Sequence, residues 1–142
     1  MTGYLAIAEI DVDAPAAKVW DVLTDPEKLK ELWFGAEVRT DWKQGSPITW
    51  SGEWEGKPYQ DKGEILEIDP GRLLKLTHFS PLAGQPDVPE NYHTLVYTLD
   101  GNGTTTHLRL TQDNNASEDE AKHSQGMWEM LVGKVKEAAE KQ

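Results

Sequence analysis

The sequence predicts an α+β fold in which a curved antiparallel sheet of six to seven strands packs against one long C-terminal helix and encloses a cavity. Two short helical patterns directly follow the first strand, strict alternation of apolar and polar residues begins at Ala36, and a helical pattern of more than twenty residues closes the chain. The length of 142 residues suits one domain, residues 1–142, with a single core.

The first strand and the two short helices occupy the N-terminal quarter of the chain. Alternation in EIDVD predicts a strand, and apolar residues at i, i+3, i+4 and i+7 in the next segment predict a helix that ends near Leu23. Asp13 is expected to cap this helix. Asp25 and Pro26 are a cap and a first helical residue for the second helix, and Gly35 supplies its end.

The middle of the chain predicts an antiparallel meander. Clusters of Gly, Pro, Asn and Asp at KQGS, EGKP, DPG and DGNG indicate tight turns. One connection, SPLAGQPDVPEN at 80–91, is too long and too rich in proline for a hairpin, and it is a candidate lid. The predicted strands are AEVRTDW, PITWSGEWE, YQDKGEILEI, RLLKLTHF, YHTLVYTLD and TTTHLRLTQ.

The last segment predicts a helix from Glu118 to about Lys141. Ser117 and Glu120 have the spacing of a capping box, and the acidic first turn complements the positive end of the helix dipole. Its length, about 36 Å at 1.5 Å per residue, is enough to cross the sheet. The expected inward stripe is Met127, Leu131, Val135 and Ala138, beside Trp128 and Val132.

Composition excludes several classes of function. The formal net charge is −11 with no Lys/Arg cluster, so nucleic acid and anionic membranes are poor partners. No apolar run approaches the length of a membrane helix, and the N-terminal segment lacks the features of a secretory signal, so we expect a cytoplasmic protein. There is no cysteine and no HExxH-like spacing of histidines, so no metal and no cofactor is predicted.

Three segments carry a resemblance to a known family: IDVDAPAAKVWDVLTDPEKLKELW at 10–33, GEILEIDPGRLLKLTH at 63–78 and DGNGTTTHLRLTQDN at 100–114. Through them the chain resembles the SRPBCC (START-like, helix-grip) superfamily, and in particular bacterial members of the activator of 90-kDa heat-shock-protein ATPase homologue family. The resemblance implies a helix-grip fold. It also implies either a cavity for a small apolar ligand or a role in contacting a chaperone. Where the family usually ends the RLLKLTH strand with tryptophan, this chain has His78.

Alternation along the strands selects the side chains that face the helix. Three of the six tryptophans, Trp42, Trp50 and Trp54, lie within one hairpin-sized stretch. We expect Trp20 and Trp128 to be core residues and Trp42 and Trp54 to cover strand ends. Trp50 and the Trp33-Phe34 pair could either fill the core or contact a ligand. The candidate cavity residues are Trp33, Phe34, Trp50, Leu74, His78, Tyr97, Leu110, Met127 and Leu131.

Three functions remain after these exclusions. The leading prediction is binding of a small hydrophobic or aromatic molecule between the sheet and the C-terminal helix, by a monomer or weak homodimer. The second is a protein-interaction module that acts on a chaperone, with an acidic surface that favours a basic partner. The third is an enzyme with His78 or Glu67 as general base and Tyr97 as donor. No catalytic residue is assigned, because no spacing of nucleophile, base and orienting group can be read.

Overall fold

The computed structural model describes residues 3–33, 35–81 and 84–141, with Trp54 described by its backbone alone. Three α-helices are present in these ranges, α1 (Ala16–Thr24), α2 (Pro26–Leu32) and α3 (Glu118–Glu140), and a short 3₁₀ helix spans Pro89–Asn91. The strands are β1 (Tyr4–Val12), β2 (Glu37–Arg39), β3 (Pro47–Trp54), β4 (Lys57–Asp69), β5 (Leu73–His78), β6 (His93–Gly101) and β7 (Thr106–Asn115).

The strands form one antiparallel sheet in the order β1-β7-β6-β5-β4-β3-β2. Strands β2 to β7 are a meander in which each strand pairs with the next, and β1 returns beside β7, so β1 and β2 form the two edges. The predicted α+β class and the curved sheet crossed by a long C-terminal helix are confirmed. No helix among the described residues combines the length and the apolar composition needed to cross a membrane.

The two short helices begin and end largely as their sequence predicts. The Asp25 side chain accepts a hydrogen bond from the Glu27 amide at 2.9 Å, which caps α2. Gly35 has φ +91°, a left-handed conformation that glycine adopts at low cost, and it follows the end of α2. The predicted cap at Asp13 is wrong, because Pro15 occupies the N-cap position of α1 and the Asp13 amide donates to Glu140 Oε2 instead.

Helix α3 packs its apolar face on the concave side of the sheet. The Ser117 cap is as predicted, since the Glu120 amide donates to Ser117 Oγ at 3.1 Å, while the Glu120 carboxylate accepts from the Ala116 amide, one residue before the N-cap. The buried face is centred on Trp128 and Leu131, so the predicted stripe is rotated slightly. Met127 is 42% exposed. The buried residues of α3 are Ala121, Trp128, Leu131, Val132, Val135 and Ala139.

A β-bulge in β4 overturns one predicted orientation. Ile65 pairs with Leu76 but Glu67 pairs with Lys75, so one extra residue is inserted between these two pairs. Beyond the bulge Ile68, not Glu67, lies opposite the buried Leu74. The predicted role of Glu67 as a general base requires its side chain to enter the cavity, and this placement is wrong because the Glu67 side chain is exposed.

Elsewhere the alternation predicts the buried face correctly. Apolar residues on the inward faces of β2, β3, β5, β6 and β7 are buried and join the helices in a single apolar cluster, whereas Gly52 of β3 is only partly buried. Those buried strand residues include Val38, Ile48, Trp50, Leu74, Leu76, Leu95, Tyr97, Leu99, Leu108 and Leu110.

Candidate functional site

A cavity of about 640 Å³ lies between the sheet, α3 and the connection after β5. Trp33, at the end of α2, forms part of its wall. The strands contribute Glu53, Tyr59, Asp61, His78, His93 and Gln112. The connection contributes Phe79, Ser80, Gln85 and Asn91, and α3 contributes Ser124, Met127, Trp128 and Leu131.

Four aromatic side chains form one wall of packed rings beside this cavity. The Trp33 ring centroid lies 5.3 Å from Trp50, 5.6 Å from Trp128 and 5.7 Å from His78, and the Trp50 and His78 centroids are 4.8 Å apart. These separations fall in the range at which tilted and edge-to-face rings attract each other. Because Trp33 and Trp128 also line the cavity, the wall offers an aromatic surface to an occupant.

The register of the sheet brings Asp61 to His78. The pairs Lys62–Phe79 and Ile65–Leu76 place Gly63 opposite His78, so Asp61 is the diagonal neighbour of His78 on the same face. Asp61 Oδ2 lies 2.9 Å from His78 Nε2, and both residues are buried. An ionised Asp61 carboxylate can only accept this hydrogen bond, from an Nε2–H, and the contact orients the imidazole ring.

Gly63 is a structural requirement of this arrangement. A Cβ atom at this position would lie 1.7 Å from the Thr77 carbonyl oxygen, so only glycine allows β4 and β5 to approach this closely. The Glu64 amide donates to Thr77 Oγ1 at 2.9 Å and holds the same contact. The close approach sets the distance between the strand that holds Asp61 and the strand that holds His78.

Several polar atoms of the cavity wall have no hydrogen-bond partner among the described residues. They are the buried side-chain atoms Asp61 Oδ1, His78 Nδ1, Gln112 Oε1 and Trp128 Nε1. All four residues line the same cavity. Buried polar groups are normally paired, so these four atoms set this cavity apart from the rest of the described core.

The charged side chains that line the cavity are an exposed glutamate and a buried aspartate. Glu53 and Asp61 line it, and no lysine or arginine is among the lining residues in the described ranges. Burial, and then the charge of Asp61, raise the pKa of the Tyr59 hydroxyl above its ordinary value. Among the residues described, no group of three or more His, Asp or Glu side chains has the placement to hold a metal ion.

The connection that follows β5 is tied to the sheet by polar contacts. The Asp87 carboxylate pairs with Lys62 Nζ and accepts a 2.5 Å hydrogen bond from the Tyr92 hydroxyl. Tyr92 stacks on Phe79 with ring centroids 5.0 Å apart, and Asn114 Nδ2 donates to the Tyr92 carbonyl. These contacts hold the described part of the segment 80–91 beside the cavity, where Gln85 and Asn91 line it.

The sequence-predicted site residues divide between the cavity and the layer behind it. Trp33, His78, Met127 and Leu131 line the cavity. Trp50, Leu74 and Tyr97 surround a narrow gap deeper in the core, and Leu110 is fully buried. Burial raises the Tyr97 pKa far above its ordinary value, which makes its hydroxyl a poor proton donor. Phe34 lies outside the described residues.

Several cavity residues were not among the predicted ones. Asp61 and Tyr59 share the parity of the inward Ile65 in β4, so alternation could have found them, but the register that joins Asp61 to His78 depends on pairing across strands. Gln112 shares the parity of the inward Leu108 and Leu110 in β7. Trp128, predicted as core, is buried and also lines the cavity.

The comparisons with known proteins agree with this architecture. A family model described as Activator of Hsp90 ATPase homolog 1-like protein matches residues 13–140. The solution structure of ChR145 from Cytophaga hutchinsonii is 44% identical to the chain, with a TM-score of 0.87, and the match covers 99% of this chain and 97% of that one.

Two more distant structures share the fold. The solution structure of the Aha1 dimer from Colwellia psychrerythraea is 19% identical, with a TM-score of 0.73 and coverage of 96% of each chain. The crystal structure of CalU16 from Micromonospora echinospora is 22% identical, with a TM-score of 0.71 and coverage of 98% of this chain and 87% of that one. No curated protein matches the chain significantly. The family model and the ChR145 match together show that the chain belongs to the Activator of Hsp90 ATPase homolog 1-like family, with the helix-grip fold of the SRPBCC superfamily.

Proposed function

We propose that this protein binds a small hydrophobic or aromatic molecule in the cavity between the sheet and α3. One observation carries the proposal: a cavity of about 640 Å³ is lined by aromatic rings together with a few buried polar groups. Ligand sites in proteins commonly have volumes of about 300–1,000 Å³ and this mixture of surfaces. The volume is enough for a molecule of two or three fused or linked rings.

The side chains around the cavity support the entry of a ligand and can adapt to its shape. Met127 lies at the edge of the cavity and is partly exposed, and its flexible thioether can adjust to different shapes. Gln85 and Asn91 border the cavity from the connection after β5, which therefore serves as a lid in this proposal. Trp33 offers an aromatic surface that is only half-buried before a ligand binds.

Native mass spectrometry of the purified protein, followed by denaturing extraction, tests for a passenger that co-purifies. Titration with N-phenyl-1-naphthylamine, a neutral fluorescent probe, then tests the cavity itself. We expect saturable binding that Trp33→Leu weakens at least tenfold. Trp20→Leu is the matched control, since Trp20 packs on the core and does not line the cavity. No passenger and no saturable probe binding would refute the proposal.

A second candidate function is acid–base catalysis on the bound molecule. The observation that favours it is the hydrogen bond of 2.9 Å between Asp61 and His78, because a carboxylate that orients an imidazole is the arrangement of a general base. If the passenger is a substrate, His78→Gln should abolish its turnover and keep its affinity within a few-fold. Equal turnover by the two proteins would exclude this role for His78.

The family name supports a third candidate, contact with a 90-kDa heat-shock chaperone. The formal charge of −11 would favour a basic surface on that partner, and one similar structure is described as a dimer. We propose a cytoplasmic monomer or weak homodimer for this role. The test is whether the protein stimulates the ATPase activity of the chaperone. This role would be favoured over ligand binding if charge reversal at surface carboxylates removes the stimulation and Trp33→Leu does not.

A further inference from the structure

We propose that the cavity selects aromatic molecules that carry hydrogen-bond donors, hydroxyl or amino groups, and that it excludes anions such as carboxylates. This inference rests on the proposed function and specifies the chemistry of the ligand. Three features of the cavity carry it: the sign of its charge, the balance of its unpaired polar atoms, and the position of those atoms beside the aromatic wall.

The charge of the wall disfavours an anionic ligand. Two carboxylates, Glu53 and Asp61, line the cavity, and no lysine or arginine lines it in the described ranges. Asp61 is 8% exposed, so solvent screens its charge little. A carboxylate ligand would lose its own hydration and meet a like charge, and no lysine or arginine among the described lining residues would compensate.

The unpaired oxygen atoms of the residues that line the cavity are hydrogen-bond acceptors, which a donor group on the ligand would pair. Asp61 Oδ1 and Gln112 Oε1 accept hydrogen bonds only. His78 Nδ1 is also an acceptor in the neutral imidazole, because Nε2 carries the proton that faces Asp61. Trp128 Nε1, an indole N–H, is an unpaired buried donor. The two acceptor oxygens, Asp61 Oδ1 and Gln112 Oε1, are matched by a hydroxyl or amino group, since both of these groups donate hydrogen bonds.

These acceptors are adjacent to the aromatic wall. The His78 ring centroid is 5.7 Å from that of Trp33, and Asp61 is hydrogen-bonded to the same imidazole. Asp61 and Gln112 therefore line the same cavity as the Trp33 ring, on which an aromatic molecule can pack. A pure hydrocarbon of the same shape would fill the cavity but leave every unpaired atom buried.

Four probes of one shape separate these possibilities: 2-naphthol, 2-naphthylmethylamine, 2-methylnaphthalene and 2-naphthoate, each titrated by isothermal calorimetry at pH 7. We expect 2-naphthol to bind at least about tenfold more tightly than 2-methylnaphthalene, the effect of pairing one or two buried polar groups. The anion 2-naphthoate should bind most weakly. The affinities of the cationic amine and the neutral naphthol are then compared. Tighter binding of the amine indicates that the ligand pairs its charge with Asp61, and similar binding of the two indicates that the site only accepts hydrogen bonds.

Two variants test whether side chains that line the cavity cause the selectivity. Asp61→Asn should reduce the preference for naphthol over naphthoate at least about fivefold, because it removes the buried negative charge. Gln112→Met, which retains a similar volume, should reduce the preference for naphthol over methylnaphthalene. Glu64→Gln is the control, since this exposed carboxylate of β4 does not line the cavity and should leave all ratios unchanged.

The outcomes separate the two proposals. Equal affinity for naphthol, methylnaphthalene and naphthoate would overturn the selectivity and leave the binding function standing. Tighter binding of naphthoate than of naphthol would also overturn it. If none of the four probes binds to the wild-type protein, both the selectivity and the binding function fail.

Discussion

Replacement of Gln112 by methionine should stabilise the protein. Gln112 is 6% exposed in β7, opposite Leu95 and Ala6, and its Oε1 has no hydrogen-bond partner among the described residues. A buried polar atom without a partner costs about 1–3 kcal/mol. Methionine has a similar length and no such atom. We therefore expect Gln112→Met to raise the free energy of unfolding by about 1–2 kcal/mol, or the Tm by about 3–6 °C for a chain of this size.

Urea unfolding of the ligand-free protein, followed by circular dichroism, measures this change. Leu110→Met is the matched control, because Leu110 is on the same face of the same strand and loses no polar atom. That control should be destabilising by less than about 1.5 kcal/mol. If Gln112→Met is as destabilising as the control, Gln112 is satisfied in the folded protein and the reasoning fails. If Gln112→Met is more stable than the wild-type protein and binds 2-naphthol more weakly, Gln112 contributes to binding at the expense of stability.

Other substitutions test the backbone and the surface. Gly133→Ala should stabilise α3 by about 1 kcal/mol, since its Cβ would meet nothing within 4 Å. Gly63→Ala should prevent folding or cost several kcal/mol, because its Cβ would clash with the Thr77 carbonyl. Thermal unfolding should therefore show a raised Tm for the first variant and a lowered Tm, or no folded protein, for the second. The neighbouring carboxylates, first Asp11, raise the pKa of His107 above its ordinary value of 6.5. Protonated His107 therefore stabilises the fold at pH 6, and this stabilisation is lost as the pH rises through the raised pKa. His107→Gln should be destabilising at pH 6 and neutral at pH 9, as urea unfolding at both values would detect.

The sequence predicted the architecture because its periodic signals are local. Alternation placed Val38, Leu76 and Leu95 on the buried face, and the Ser117 cap predicted the start of α3. The bulge in β4 could not be read in this way. One inserted residue reverses the parity of every later side chain in the strand, and nothing in the composition around Glu67 marks the insertion.

The site was harder to predict because it is built across strands. Candidate residues such as Trp33 and His78 followed from apolar parity and helix ends, and both line the cavity. Asp61 is a polar residue in a strand, and its role depends on the diagonal contact with His78 that the β4–β5 register creates. The unpaired state of Gln112 is likewise a property of the packed wall and not of its sequence neighbours.

The position of a bound molecule tests the binding proposal most directly. In an isotope-filtered NOESY spectrum of the labelled protein with unlabelled 2-naphthol, we expect contacts between the naphthol protons and the rings of Trp33 and Trp128, together with a shift of the Trp128 indole N–H signal. Contacts confined to the outer surface, such as Tyr92 and Thr77, would contradict the proposal that the cavity between the sheet and α3 is the binding site.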